Sequence, residues 1–438
     1  MEHYGNGKSA GLEQTVSESI QTGFTAADLE IHPDEKGVLK ELAERVAGLA
    51  ALPIMNEKRA LWRKHNRLEK TRPIIFCDPE NGWNEIFPPE SLLCNSELAR
   101  HWEFELRIKE FYGARMRDDR VIDARFTLRP VAEETGWGLQ TPIIGKGEGK
   151  AFTWDPPLKD LNDLSGLRVP GATVDREATA RLKAFAEELF EGVLAVDVKG
   201  VWWWSLGMTQ RLVFLRGLER MMLDMLENPE GFHRLMAFMR DAQLARLDQL
   251  EADGLLCLNN GNDYVGSGGF GFTDELPAPG YNPEKPRTRD VWMFGLAQMF
   301  ATVSPDMFKE FEVDYASRIC ARFGLVYYGC CDPLDGKMAE VRLLPNVRKV
   351  SMSPWVDQER GAREIGGDYV FSRKPSPALV ATERFHPDQV RADLEATRTA
   401  CDKHGCPLEF ILKDISTVCY EPERLEEWAR IAMQVAGA

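Results

Sequence analysis

Two adjacent cysteines, Cys330 and Cys331, stand in "LVYYGCCDPLDGK" (325–337), directly after an apolar, strand-forming run and before a turn. A third, Cys419, lies in "KDISTVCYEPERLEEW" (413–428), just past another such run, "LEFILKDI" (408–415). Thiolates from two such positions could hold zinc, which takes cysteine and histidine ligands tetrahedrally and keeps one position open when catalytic. No CxxC or HxxxH spacing accompanies them, so the blander alternative stays open: one small buried apolar residue and one incidental thiol. A bond between the neighbours is disfavoured, because its ring is strained and nine cysteines in 438 residues suit reduced thiols better than a disulfide framework.

Four further stretches carry side chains fit for a site. "CDPENGWNE" (77–85) offers Asp78 and Glu80 as acids after the first candidate strand. "NNGNDYVGSGGFGF" (259–272) reads equally as a lid bringing Asn262, Asp263 and Tyr264 to a substrate and as a structural hairpin. It has no GxGxxG at a strand–helix junction and no P-loop lysine, so nucleotide binding is not supported. "SRKPSP" (372–377) sets Arg373 and Lys374 after a strand, as anchors for an anion or as a solvated loop. "VWWWSLG" (201–207) holds consecutive tryptophans; Trp202 and Trp203 wall a pocket for a flat or apolar ligand, or pack between elements.

The elements that position these residues alternate. Candidate strands are 73–77, 121–128, 193–198, 255–259 ("LLCLN"), 325–328, 347–353, 368–372 and 408–415. Strong helical patterns run over 176–192, 229–254, 304–324, 386–405 and 421–437, several opening on a cap or Pro and closing at Gly. Runs that are apolar throughout rather than alternating suit a parallel sheet covered by helices. About eight strand–helix units predict an α/β fold, a (β/α)8 TIM-type barrel over residues 72–438. A doubly wound open sheet is the alternative. Residues 1–71 form an N-terminal arm, loose over 1–33, and a helical extension with Leu39, Leu42, Val46, Leu49 and Leu52 at helical spacing. Loops at 78–90, 137–170 and 260–290 are long, and in a barrel the loops after strands build the active site.

A net charge of −15 argues against a nucleic-acid surface, which needs clustered Lys and Arg, and disfavours anionic membranes. No stretch approaches the roughly 20 apolar residues that span a bilayer. The start, "MEHYGNGKSAGLEQ", lacks a basic region followed by an apolar one. A cytoplasmic protein is expected.

The order Ser304-Pro305, an aromatic-rich helix, Gly324, a strand, "GCC" and the late Cys419 resembles the uroporphyrinogen decarboxylase superfamily over about 72–438. The closer match is its branch of corrinoid-dependent methyltransferases. That resemblance implies a zinc-dependent enzyme that moves a methyl group between a small methylated compound, such as a methoxy-aromatic, and the cobalt of a corrinoid (cobalamin) on a separate protein. It implies zinc ligands at Cys330, Cys331 and Cys419, with Glu312 as fourth, since the branch's His-x-Cys-Gly has no histidine here. Arg373, Lys374 and Asn262 would orient the substrate, the tryptophans would wall it, and a homodimer is compatible. "DKHGC" (402–406) departs from the cobalt-ligating Asp-x-His-x-x-Gly in its glycine and is set aside. The decarboxylase itself is a weaker match: "TRPIIFCDPENGW" keeps Arg72 and Pro73 but has no Arg-Gln-Ala-Gly. A cofactor-independent decarboxylase using Asp78 or Asp263 as proton donor is the second reading, and a non-catalytic binding relative the third.

Overall fold

A strand buried along its whole length has no solvent face, and five such runs lie at the centre of the protein. The computed structural model describes residues 29–144 and 153–437; most of the expected arm and part of the 137–170 loop lie outside them. The parallel strands are β1 (Ile74–Cys77), β2 (Arg125–Leu128), β3 (Ala195–Val198), β4 (Trp292–Gly295), β5 (Leu325–Tyr328), β6 (Val347–Met352), β7 (Val370–Arg373) and β8 (Leu408–Leu412). Six form one parallel sheet in the order β1-β8-β7-β6-β5-β4, and β2 pairs with β3 in a separate parallel ladder. The protein is therefore mixed α/β around a six-stranded parallel sheet.

No ladder of described residues joins β1 to β2 or β3 to β4. At the first seam Asp119 N donates to Ile75 O at 2.8 Å while the Asp119 and Asp118 carboxylates accept from Ile75 N and Cys77 N, and at the second Leu206 N donates to Phe294 O at 2.9 Å.

One expected strand is corrected. Residues 255–259 are irregular, and the strand at that place in the order is β4, "WMFG", which the sequence reading passes over. The reason is a side-chain substitution for the ladder: Asn259 Oδ1 accepts from Trp292 N at 2.8 Å while its Nδ2 donates to Trp292 O. The helix expected over 304–324 is also interrupted. Ser304 caps a short turn, a π-helical segment spans Lys309–Val313, and a helix resumes at Asp314–Cys320. Two other helices keep their expected starts and end two or three residues early: Asp175 and Asn228 cap Arg176–Leu189 and Pro229–Ala252, while Gly405, at φ +73°, closes Pro387–His404.

The N-terminal helices, α1 (Pro33–Ala50) and α2 (Ile54–Asn66), share one hydrophobic core with the sheet. Trp62, fully buried, donates to Asp119 O at 2.9 Å, and Asn66 Nδ2 holds the carbonyls of Phe270 and Phe272. That anchors the glycine-rich hairpin 264–270 against the sheet. Gly266 lies so close to the Tyr327 ring that a Cβ would meet it at 2.3 Å, so only glycine fits there.

Candidate functional site

The period-two alternation of strands decides which side chains meet. On β5, Tyr327 turns to one face and Tyr328 to the other. Tyr327 OH lies 2.5 Å from Ser372 Oγ, which donates to Glu409 Oε1 at 2.6 Å, while Tyr328 OH donates to Glu312 Oε1 at 3.1 Å. Lys349 Nζ and His65 Nε2 close on Glu409 Oε2 at 2.8 and 3.2 Å, all three residues being fully buried. This polar column ends upward in Lys374, whose ammonium donates to Tyr327 OH at 2.6 Å and to Ser372 Oγ at 2.8 Å.

Past the C-terminal ends of the strands the column opens into a cluster. Gly329, at φ +89°, lets the chain turn where a Cβ would meet Leu334 at 2.4 Å. Cys330 follows, fixed by its N–H to Asp332 Oδ1 at 2.8 Å and by Ser351 Oγ donating to its carbonyl at 2.6 Å. Its Sγ lies 3.6 Å from Cys331 Sγ and 3.3 Å from Ser267 Oγ of the hairpin. The single Cys331 S–H has two acceptors within reach, Cys330 Sγ and Asp414 Oδ2, the latter at 3.3 Å. Lys413, following β8, bridges Asp414 Oδ1 and Glu80 Oε1 at 3.0 Å each, and Asp414 N donates to Glu80 Oε2 at 2.8 Å. Tyr264 OH donates to Asp78 Oδ2 at 3.0 Å. Trp204 packs against the cluster containing Cys330, Phe294 and Tyr327.

Electrostatics differentiate these groups. The Cys330 thiol is lowered to about 7, chiefly by the hydrogen bond from Cys331, with Lys413 and Ser267 adding against burial. Cys331 is pushed the opposite way by that bond and by burial. Burial works against Lys413, yet Cys330, Glu80 and Asp414 outweigh it and hold its ammonium well above the ordinary value. Burial raises Glu80 to about 7, opposed by Lys413 and aided by Asp78 and Asp414, and lowers Lys374 to about 7 against the pull of Glu409 and Cys330. Tyr264 is 39% exposed, and desolvation followed by the Asp78 and Glu80 charges raises its phenol well above the ordinary value.

Several expected residues fall together here: Asp78, Tyr264, Cys330, Cys331 and Lys374. Others do not. Arg373 points to the opposite face from Lys374, where it reaches Ser353 O and Asp393 Oδ1. Trp202, buried, donates to Leu255 O at 2.8 Å, and Trp203 packs edge-on to Phe323. The tryptophan near the cysteines is Trp204. Asp263 pairs with Lys199 at 2.6 Å, and Asn262 donates to Val121 O and Asp123.

The four expected metal ligands are not brought together. Cys419 Sγ points at the carbonyls of Ala381 and Thr382, 3.6 and 3.7 Å away, on a turn whose residues 419 and 420 both have left-handed φ. Glu85 fixes that turn by accepting from Thr417 Oγ1, Val418 N and Tyr420 N. Glu312 lies on the far face of β5 with Tyr328. Among the described residues no three His, Cys, Asp or Glu side chains converge as a group that could hold a metal. The positive charges that act on the Cys330 sulfur are those of Lys413 and Lys374. These residues, as placed, do not fit a zinc ion.

Sequence reasoning passed over Lys413, Asp414, Ser267 and Trp204. Lys413 and Asp414 were legible as the end of "LEFILKDI", by the same reasoning that singled out Arg373 and Lys374.

No family profile matches the chain, and no curated protein does. Among solved structures, a methyltransferase from Methanosarcina mazei is similar at 10% identity, with a TM-score of 0.45, covering 86% of this chain and 97% of that one. No helix among the described residues is long and apolar enough to cross a membrane.

Proposed function

We propose that this chain is a methyltransferase in which the Cys330 thiolate takes a methyl group from a small methylated compound, on an eight-stranded (β/α)8-type barrel such as the sequence resemblance implies. The observation that carries the reading is the cradle of Cys330, whose sulfur lies within hydrogen-bond reach of Cys331 Sγ and Ser267 Oγ and is acted on by the Lys413 charge. A thiol held near 7 is substantially ionised at neutral pH, and a thiolate is a soft nucleophile suited to an sp³ carbon. The cluster lies beyond the carboxyl ends of parallel strands, where α/β proteins bind substrates. Trp204 and Tyr264 stand beside the cluster and would wall the bound substrate. The methyl group then passes to a second carrier, proposed from the resemblance to be the cobalt of a corrinoid on a separate protein. No step in this reading runs through zinc.

A decarboxylase is the second reading, favoured by Lys374 and Lys413 as cations for a carboxylate and by the Tyr264–Asp78 pair as proton source. Methyl transfer to reduced cobalamin separates the two. Cys330→Ala is expected to abolish transfer, and Cys419→Ala to leave it intact. Transfer that survives Cys330→Ala would refute the thiolate reading, and release of CO2 without Cys330 would install the other.

A further inference from the structure

We infer that Glu80 is the general acid of this site, the group that delivers a proton to the atom the methyl group leaves. The inference rests on the reading of Cys330 as nucleophile.

Two non-glycine residues adopt left-handed backbone at the cluster, Glu80 at φ +45° and Asp414 at φ +59°. Such a conformation persists only where surrounding contacts over-determine it. Here the contacts are mutual. Asp414 N donates to Glu80 Oε2 at 2.8 Å, and Lys413 Nζ spans Glu80 Oε1 and Asp414 Oδ1 at 3.0 Å each. The strained turns after β1 and β8 thus set the Glu80 carboxyl beside Lys413, the residue whose charge also acts on Cys330. Each carboxyl oxygen takes one donor and keeps a second lone pair, where a proton can sit. The Glu80 side chain is 30% exposed, so its carboxyl is open to solvent and to a ligand at the cluster.

The neighbouring groups are less suited. Lys374 is 1% exposed, and its ammonium is engaged by Tyr327 OH, Ser372 Oγ and Ser372 O. The Tyr264 phenol donates to Asp78 and is held well above its ordinary value by burial. Lys413 is committed to two carboxylates. The charged groups facing Glu80 are Lys413, Asp78 and Asp414, and with burial they bring it to about 7, the range in which a general acid works best at neutral pH.

The step balances without a further reactant. The Cys330 sulfur forms a bond to the methyl carbon and the carbon–oxygen bond of a methyl ether breaks, its electron pair staying on oxygen. The Glu80 proton passes to that oxygen, leaving S-methylcysteine, a neutral alcohol or phenol and the Glu80 carboxylate. An onium donor departs as a neutral molecule and needs no proton.

That contrast supplies the test. The full chain is exposed to methoxybenzene or to trimethylsulfonium, and gain of one methyl group on Cys330 is followed by mass spectrometry. Glu80→Gln is expected to slow methylation from the ether by about a hundred-fold or more and to leave the sulfonium reaction unchanged. The fall in the ether rate as pH rises through about 7 is expected to vanish with it. Glu80→Asp, which keeps a carboxyl but shortens its reach, is expected to slow the ether reaction alone. Equal loss on both donors, or on neither, would overturn the inference. Absence of methyl on Cys330 from either donor in the unaltered chain would overturn the thiolate reading beneath it and the inference too.

Discussion

Replacing Cys331 with alanine removes the largest influence on its neighbour's ionisation. Cys330 is held at about 7 rather than 9.0, first through the Cys331 hydrogen bond, against burial, and then through Lys413 and Ser267. If all of that were lost, the thiolate fraction at pH 7 would fall from about one half to about one in a hundred, roughly fifty-fold. A more basic thiolate is also more nucleophilic, and a Brønsted slope of about 0.45 over 2 units returns about eight-fold. The net expectation is a fall of up to about six-fold in iodoacetamide alkylation of Cys330 at pH 7, with a crossover to faster alkylation in alkali. Lys413 and Ser267 remain in the variant, so six-fold is a ceiling. Alkylation is read by peptide mass spectrometry across pH 6–10, with Cys330→Ala marking the background. Superimposable profiles for the unaltered protein and Cys331→Ala would refute the reasoning.

Two stability predictions follow from buried carboxyls. Burial raises Glu312 to about 8, opposed by the Tyr328 hydrogen bond. The folded state therefore holds a proton that the unfolded chain releases near 4.5, and stability falls as pH rises between those values, by up to about 5 kcal/mol. Glu312→Gln keeps an acceptor for Tyr328 and should flatten that fall; urea unfolding at pH 5, 7 and 9 measures it. Glu409 behaves oppositely: burial is outweighed by Lys349, His65 and Lys374, which hold it far below the carboxylate range. Its contribution is present above the unfolded value and is lost only as pH falls through the depressed folded one. Glu409→Gln should cost about 3–5 kcal/mol by leaving Lys349 uncompensated, and adding Lys349→Met should restore much of it in denaturant titrations.

Much of this was legible in the chain. Fully apolar runs announced the parallel sheet, and the placement of Cys330 and Cys331 beyond "LVYY" put them at the carboxyl end of a strand. The strand "WMFG" was less legible, because four residues after a long loop give little periodicity, while "LLCLN" looks apolar enough to compete. Alternation alone separates Arg373 from Lys374, and it could have been applied to the sequence. The direction of Cys419 could not. It depends on two successive left-handed residues stabilised by Glu85, more than 300 positions away. A spacing pattern carries no information about such a turn, so a late cysteine in the expected place still points away from the other two.

Whether Cys330 carries the methyl group can be read from a single peptide. The full chain is mixed with a donor bearing an isotopically labelled methyl group, quenched within one turnover and digested, and the peptide containing Cys330 and Cys331 is sequenced by mass spectrometry. The expected result is label on the sulfur of Cys330, with Cys331 and Cys419 unlabelled. A donor that is demethylated in the same interval while Cys330 stays unlabelled would contradict the thiolate mechanism.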